Sequence, residues 1–274
     1  MQTDLKVSQL LSILIVIFSA TASLGGLFLN GLYRDNPFVT SVWKGNDLVT
    51  LVVAVPILIL ALVFSARGSV RAVLVWMGML DYMLYNYAFY LFAAAFNWFF
   101  LIYVALLGLA MFALIFGLVN VNAGSLGRGF RERTPVGWIA GYMLLVAVGL
   151  TLVYLVQTFT FIFTGQLPGI IARTGHPTSI VFALDLTLLV PFLALGAVWL
   201  LQRKPWGFIL AGVATVKGPL YTLVLTVGSM SAVRAGFADT ASEVPLWVSL
   251  TVLGLVATAL LYGNMSADRQ ANHQ

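Results

Sequence analysis

The sequence predicts an all-α fold: a polytopic transmembrane helical bundle of eight spans, one membrane domain over 1–274, arranged as two parallel four-helix repeats. Three observations predict it. Of the 274 residues 61% are hydrophobic and only 8% are charged, and the mean hydropathy is +1.01, more apolar surface than a soluble core absorbs. Long uncharged runs recur along the whole chain, each close to the roughly 20 residues a helix needs to cross about 30 Å of hydrocarbon. Finally, motifs of the first half return in the same order in the second.

The runs define spans at 9–31, 47–66, 72–94, 98–120, 137–162, 180–201, 206–228 and 244–264. In the first, SATASLGG has the shape of a signal-peptide cleavage site behind an apolar stretch and a lysine. The apolar run continues through LGGLFLNGLY, long enough to span, so it reads as a retained helix. With the N-terminus inside, the inner segments hold Lys6, Arg67, Arg71, Arg128, Arg131, Arg133, Arg203, Lys204 and Arg269. The outer loops hold only Arg34, Lys44, Arg173 and Arg234. This bias puts both termini in the cytoplasm, in a cytoplasmic (inner) cell membrane. The tryptophans fit that register as interfacial anchors, Trp76, Trp138, Trp199 and Trp206 inside and Trp43, Trp98 and Trp247 outside.

The repeat is read from three matches. LLGLAMFALIFG (Leu106–Gly117) pairs with VLGLVATALLYG (Val252–Gly263), and VPILIL (Val55–Leu60) with VPFLAL (Val190–Leu195), each of the latter followed by a short basic turn. Between them DYMLY (Asp81–Tyr85) falls on KGPLY (Lys217–Tyr221). The units are 9–120 and 137–264, with a basic linker at 121–136 and a polar tail at 265–274. Four crossings return the chain to its starting side, so the units are parallel. Chance likeness between apolar helices is the competing explanation.

The one cation inside a span is Lys217, in VATVKGPLY. Such a group is costly in hydrocarbon and needs a partner. Asp81 and Lys217 lie ten and thirteen residues beyond an inner basic residue, which at 1.5 Å per residue sets both near the midplane. An ion pair between the third and seventh helices is expected. Gly218-Pro219 predicts a kink or a short unwound stretch, because Pro219 cannot donate to the Thr215 carbonyl.

Polar residues continue outward from this pair. Tyr85 is one turn beyond Asp81, Tyr82, Asn86 and Tyr90 run along the adjacent stripe, and Tyr221 follows Lys217 by four. Gln157 and Asp185 belong to the outer half of their spans, with Asp47 at the outer mouth. These ten residues are the candidate ligand-binding set, lining a cavity that opens outward and ends at Asp81 and Lys217. They equally fit a structural ion pair with tyrosines that pack helices together.

Several classes are excluded or set aside. Cysteine is absent, so disulfides and thiolate chemistry are out, and His176 and His273 are the only histidines. No serine triad, zincin motif, phosphate loop or carboxylate metal cluster is present, so catalytic and metal sites are not expected. The net charge of +5 is explained by the topology bias and not by nucleic acid. The lipid bilayer is the expected partner, and oligomeric state is open. The leading expectation is a membrane protein, not an enzyme, that binds and transports a small amphipathic or anionic molecule, with no cofactor. The alternatives are a redox or lipid-enzyme subunit holding a quinone or isoprenoid head group, and a structural subunit without ligand. A lysine on the seventh helix facing an aspartate resembles the Schiff-base site of retinal proteins, but the eighth span and the repeat depart from that family.

YRDNPFVTSVWKGNDLVTL and YNYAFYLFAAAFN resemble segments of a group of bacterial polytopic integral membrane proteins without assigned activity. The resemblance covers mainly the first half and implies a bacterial membrane setting only.

Overall fold

Every predicted span becomes a helix, and the reasons are local. The computed structural model describes residues 5–266; Arg269, His273 and most of the predicted tail lie outside them. The helices are α1 (Lys6–Phe28), α2 (Pro37–Ala66), α3 (Val70–Ala93), α4 (Phe100–Val119), α5 (Ala123–Arg128), α6 (Val136–Thr164), α7 (Gly169–Thr174), α8 (Ile180–Leu201), α9 (Pro205–Arg234) and α10 (Val244–Gly263), the last entered through a 3₁₀ turn at Ala238–Glu243. Starts carry helix-initiating chemistry. Asn36 caps α2 by accepting from Val39 N at 2.9 Å, Ser69 caps α3 and Ser179 caps α8 in the same way. Pro37, Pro205 and Pro245 sit in the first turn, where a missing N–H costs nothing.

Seven of these elements are long and apolar enough to cross a membrane, namely all the predicted spans except the third. The chain is therefore a multi-pass helical membrane protein. The third, α3, is long enough at 24 residues, but Asp81, Asn86 and four tyrosines leave it too polar to count with the others. Its position explains this. Most of α3 is buried against protein, so its surface was never required to match lipid. The same holds for α9, whose apolar window is 67% buried, against 17% for the last helix and 22% for α8. These two helices form the centre.

Packing order is the same in both halves. In the first, α1 packs on α2 and α4, α2 on α3, and α3 on α4; in the second, α6 packs on α8 and α10, α8 on α9, and α9 on α10. Across the middle α9 meets α3 and α2, and α3 meets α8. Glycines permit the closest of these approaches. A Cβ on Gly45 would stand 2.7 Å from Gly228 Cα, and one on Gly78 would stand 2.6 Å from Val216 Cβ.

The structure corrects several expectations about local shape. Helix α2 begins at Pro37, ten residues before the predicted start, so Asp47 lies inside the helix and is 3% exposed, not at a mouth. Each of the paired Val-Pro motifs follows a π-helical turn, Thr50–Ala54 in α2 and Asp185–Leu189 in α8. There the N–H of Val55 reaches Thr50 O and that of Val190 reaches Asp185 O, a widening that accommodates the proline ring. Helix α9 runs unbroken through Pro219, so no unwound stretch forms. The reason is that Thr258 Oγ1 on α10 donates to the freed Thr215 carbonyl. Trp43 and Trp76 are fully buried, bonded to Asp35 and Ser12, instead of standing in an interfacial belt. Trp98 and Trp138 are exposed.

The loops gather at two ends. At one, Arg71 donates to Met265 O, Arg203 Nη2 to Thr134 O at 3.2 Å, and Arg131 N to Asn264 O at 3.0 Å. At the other, Arg173 pairs with Asp239 at 2.8 Å and Glu243 at 3.4 Å, and Asn36 Nδ2 donates to the carbonyls of Arg173 and Thr174.

Candidate functional site

The predicted ion pair forms. Lys217 Nζ lies 3.1 Å from Asp81 Oδ2, with side chains 6% and 13% exposed. Burial of both charges is tolerable because each offsets the other. The contact is coulombic rather than directional, since Asp81 Oδ2 has no aligned hydrogen-bond donor. Lys217 Nζ also sits 4.5 Å from the centre of the Tyr85 ring. One turn along, Tyr85 meets Tyr221 edge to face with centroids 4.8 Å apart. Thus two residue pairs matched in the sequence, Asp81 with Lys217 and Tyr85 with Tyr221, touch across the α3–α9 seam.

Asp185 joins this cluster from the start of the π turn in α8. Its Oδ1 accepts from Tyr85 Oη at 2.6 Å, and its Oδ2 accepts from Tyr154 Oη on α6 at 2.6 Å. Asp185 is the first residue of that π turn, a local widening frequent at functional sites. A continuous polar line results: Asp81, Lys217, the Tyr85 ring and hydroxyl, Asp185, Tyr154. Beside it, Tyr142 Oη approaches Gly218 and Gly254, each lacking the side chain that would block it.

The rest of the α3 stripe faces the first four-helix group instead. Tyr82 Oη is 2.8 Å from Thr50 Oγ1, at the start of the other π turn, and Asn86 Oδ1 accepts from Asn46 Nδ2 at 2.8 Å. Tyr90 Oη donates to Asp47 Oδ1 at 3.0 Å, and Tyr33 Oη donates to Asp47 Oδ2. Burial first, then the Asp47 carboxylate, holds the Tyr33 hydroxyl well above the ordinary tyrosine range, so it remains a donor. Asp35 and His176, 4.0 Å apart, lie in the loops at this end.

Of the ten candidate residues, Asp81, Lys217, Tyr85, Tyr221 and Asp185 come together, and Tyr82, Asn86, Tyr90 and Asp47 form a second group. Gln157 joins neither; it is half-buried on α6. The sequence reading missed Tyr154, Tyr33, Asn46 and Thr50. Tyr154 was detectable as the residue three before Gln157 on the same helical side. Two clefts, of about 340 Å³ beside Met230 and Arg234 and about 470 Å³ beside Arg34 and Trp98, do not include the pair. Among the described residues no three His, Asp or Glu side chains converge as a metal centre requires.

These features define a class, a multi-pass helical membrane protein with a buried ion pair on its central α3–α9 seam. No protein-family model matches the sequence, and comparison with curated proteins and with solved structures returns no match.

Proposed function

We propose that this protein binds a small amphipathic or anionic molecule at Lys217 and carries it across a cytoplasmic membrane, both termini being inside. The observation that carries the reading is the state of the lysine. An ammonium has three N–H donors, yet Lys217 meets one carboxylate oxygen without alignment, and an aromatic face. A buried ammonium with one carboxylate oxygen and one aromatic face for partners is suited to an anionic group supplied by a ligand. Tyr85 and Tyr221 would bracket the apolar part of that ligand, with Asp185 fixing Tyr85.

The seam location supports carriage in particular. In parallel-repeat carriers the site lies between the repeats, and rocking of one against the other opens it to alternate sides. Here the contact order of the two halves agrees, the matched pairs meet each other, and both Val-Pro motifs follow a π turn. We take α1 to α4 and α6 to α10 as the two units, eight crossings in all, with α3 a true span. Parting of α3 from α9 would open the outward cavity.

The test is native mass spectrometry of protein taken from its own membrane. A small anionic amphiphile released by the wild type and absent from Lys217→Met is the expected result. Identical spectra for the two proteins would overturn the proposal.

A further inference from the structure

We infer that each negative charge bound at Lys217 enters together with one proton, which Asp81 receives. This rests on the ligand reading given above and names its coupling ion. Apart from tyrosines, the buried ionisable side chains of the helices, among the described residues, are Asp47, Asp81, Asp185 and Lys217, three carboxylates and one cation. An anion that takes the ammonium leaves Asp81 without its counter-charge in a low-dielectric interior, and such a carboxylate neutralises by taking a proton.

Hydrogen bonding decides which carboxylate receives it. Both oxygens of Asp185 already accept, from Tyr85 and Tyr154, and both oxygens of Asp47 accept, from Tyr90 and Tyr33. Asp81 Oδ2 has only the ammonium and no hydrogen-bond donor. Asp81 is also the most exposed of the three, at 9% against 3% and 2%. The other carboxylate that feels the Lys217 charge is Asp185, which keeps its two tyrosine donors when the ammonium is taken. From α9 the titratable side chains are Lys217 and Tyr221, and from α8 it is Asp185, reached through Tyr85. From α4 it is Tyr103, which packs on Tyr87 and Tyr90 further along α3. The α2 residues packed on α3 contribute Asp47, held by its two tyrosines.

The balance is simple. The ligand brings one negative charge, Lys217 stays protonated, and one bulk proton forms an O–H bond with Asp81. The net charge of the seam is unchanged, so the loaded site moves no charge that the empty one did not.

The experiment is calorimetry of p-toluenesulfonate binding to the full chain in nanodiscs, in two buffers of different ionisation enthalpy. This anion does not titrate near neutral pH, so any proton taken up belongs to the protein. The expected uptake is about one proton per anion for the wild type, and close to none for Asp81→Asn. Binding to the wild type with the same heat in both buffers would overturn the coupling while leaving the ligand reading intact. No binding to the wild type, with Lys217→Met indistinguishable, would overturn both. Should Asp81→Asn fail to fold, difference infrared spectroscopy of the wild type and Asp81→Glu decides: a protonated-carboxyl band that appears on anion binding and moves in Asp81→Glu is expected, and one that does not move would overturn the assignment to Asp81.

Discussion

Replacing Lys217 by methionine removes the partner of Asp81 and leaves the rest of α9 in place. At 3.1 Å and an effective dielectric near 20 the gross attraction is about 5 kcal/mol. Desolvation offsets much of that in the intact pair, so the pair itself contributes little net stability. The single variant is different, because it keeps the desolvation of Asp81 and loses the attraction, a cost of about 3 to 5 kcal/mol. For a chain of this size that lowers Tm by roughly 10 °C. Asp81→Asn alone strands the ammonium and should cost a similar amount. The double variant, Asp81→Asn with Lys217→Met, strands neither charge and should recover about 2 kcal/mol or more relative to the sum of the singles. Thermal unfolding of all four proteins in one detergent, by intrinsic fluorescence, measures this coupling. Strict additivity would refute the reasoning, since it would mean that the two charges do not depend on each other.

Other predictions follow from the same geometry. Thr258→Val removes the donor to the Thr215 carbonyl that Pro219 leaves free, and should cost about 1 to 3 kcal/mol; adding Pro219→Ala restores an N–H there and should return part of the loss in Tm. Gly45→Ala places a Cβ 2.7 Å from the backbone of Gly228, so overpacking of about 1 to 3 kcal/mol is expected, with a lowered Tm and, if the units rock, impaired flux. The absence of native cysteine makes topology directly measurable: a single cysteine at Ser125 should label only from the cytoplasmic side and one at Ala241 only from the opposite side. Labelling of both from one side would sink the topology.

Class, helix positions and the central charge pair were legible in the sequence, and for physical reasons. A bilayer requires about 20 apolar residues per crossing regardless of partners, so hydropathy alone finds the lipid-facing helices. A lone lysine inside an apolar span must be compensated, and Asp81 is the acid at matching distance from a basic turn. What the sequence could not settle lies where protein, not lipid, is the solvent. Helix α3 escapes the apolar rule because its neighbours cover it, and Trp43 and Trp76 are buried for the same reason. Which tyrosine each carboxylate holds depended on the packing: spacing marks Tyr154 and Gln157 as one side of α6, but only the structure shows that Tyr154 reaches Asp185 while Gln157 stays out, and that Tyr33 reaches Asp47 from the loop before α2. The π turns needed the widened hydrogen-bond ladder to be seen, since Val-Pro permits a kink as readily. Pro219 shows the division most plainly: its missing N–H is written in the sequence, but only the tertiary structure supplies Thr258, from a helix 39 residues further on, to keep α9 whole.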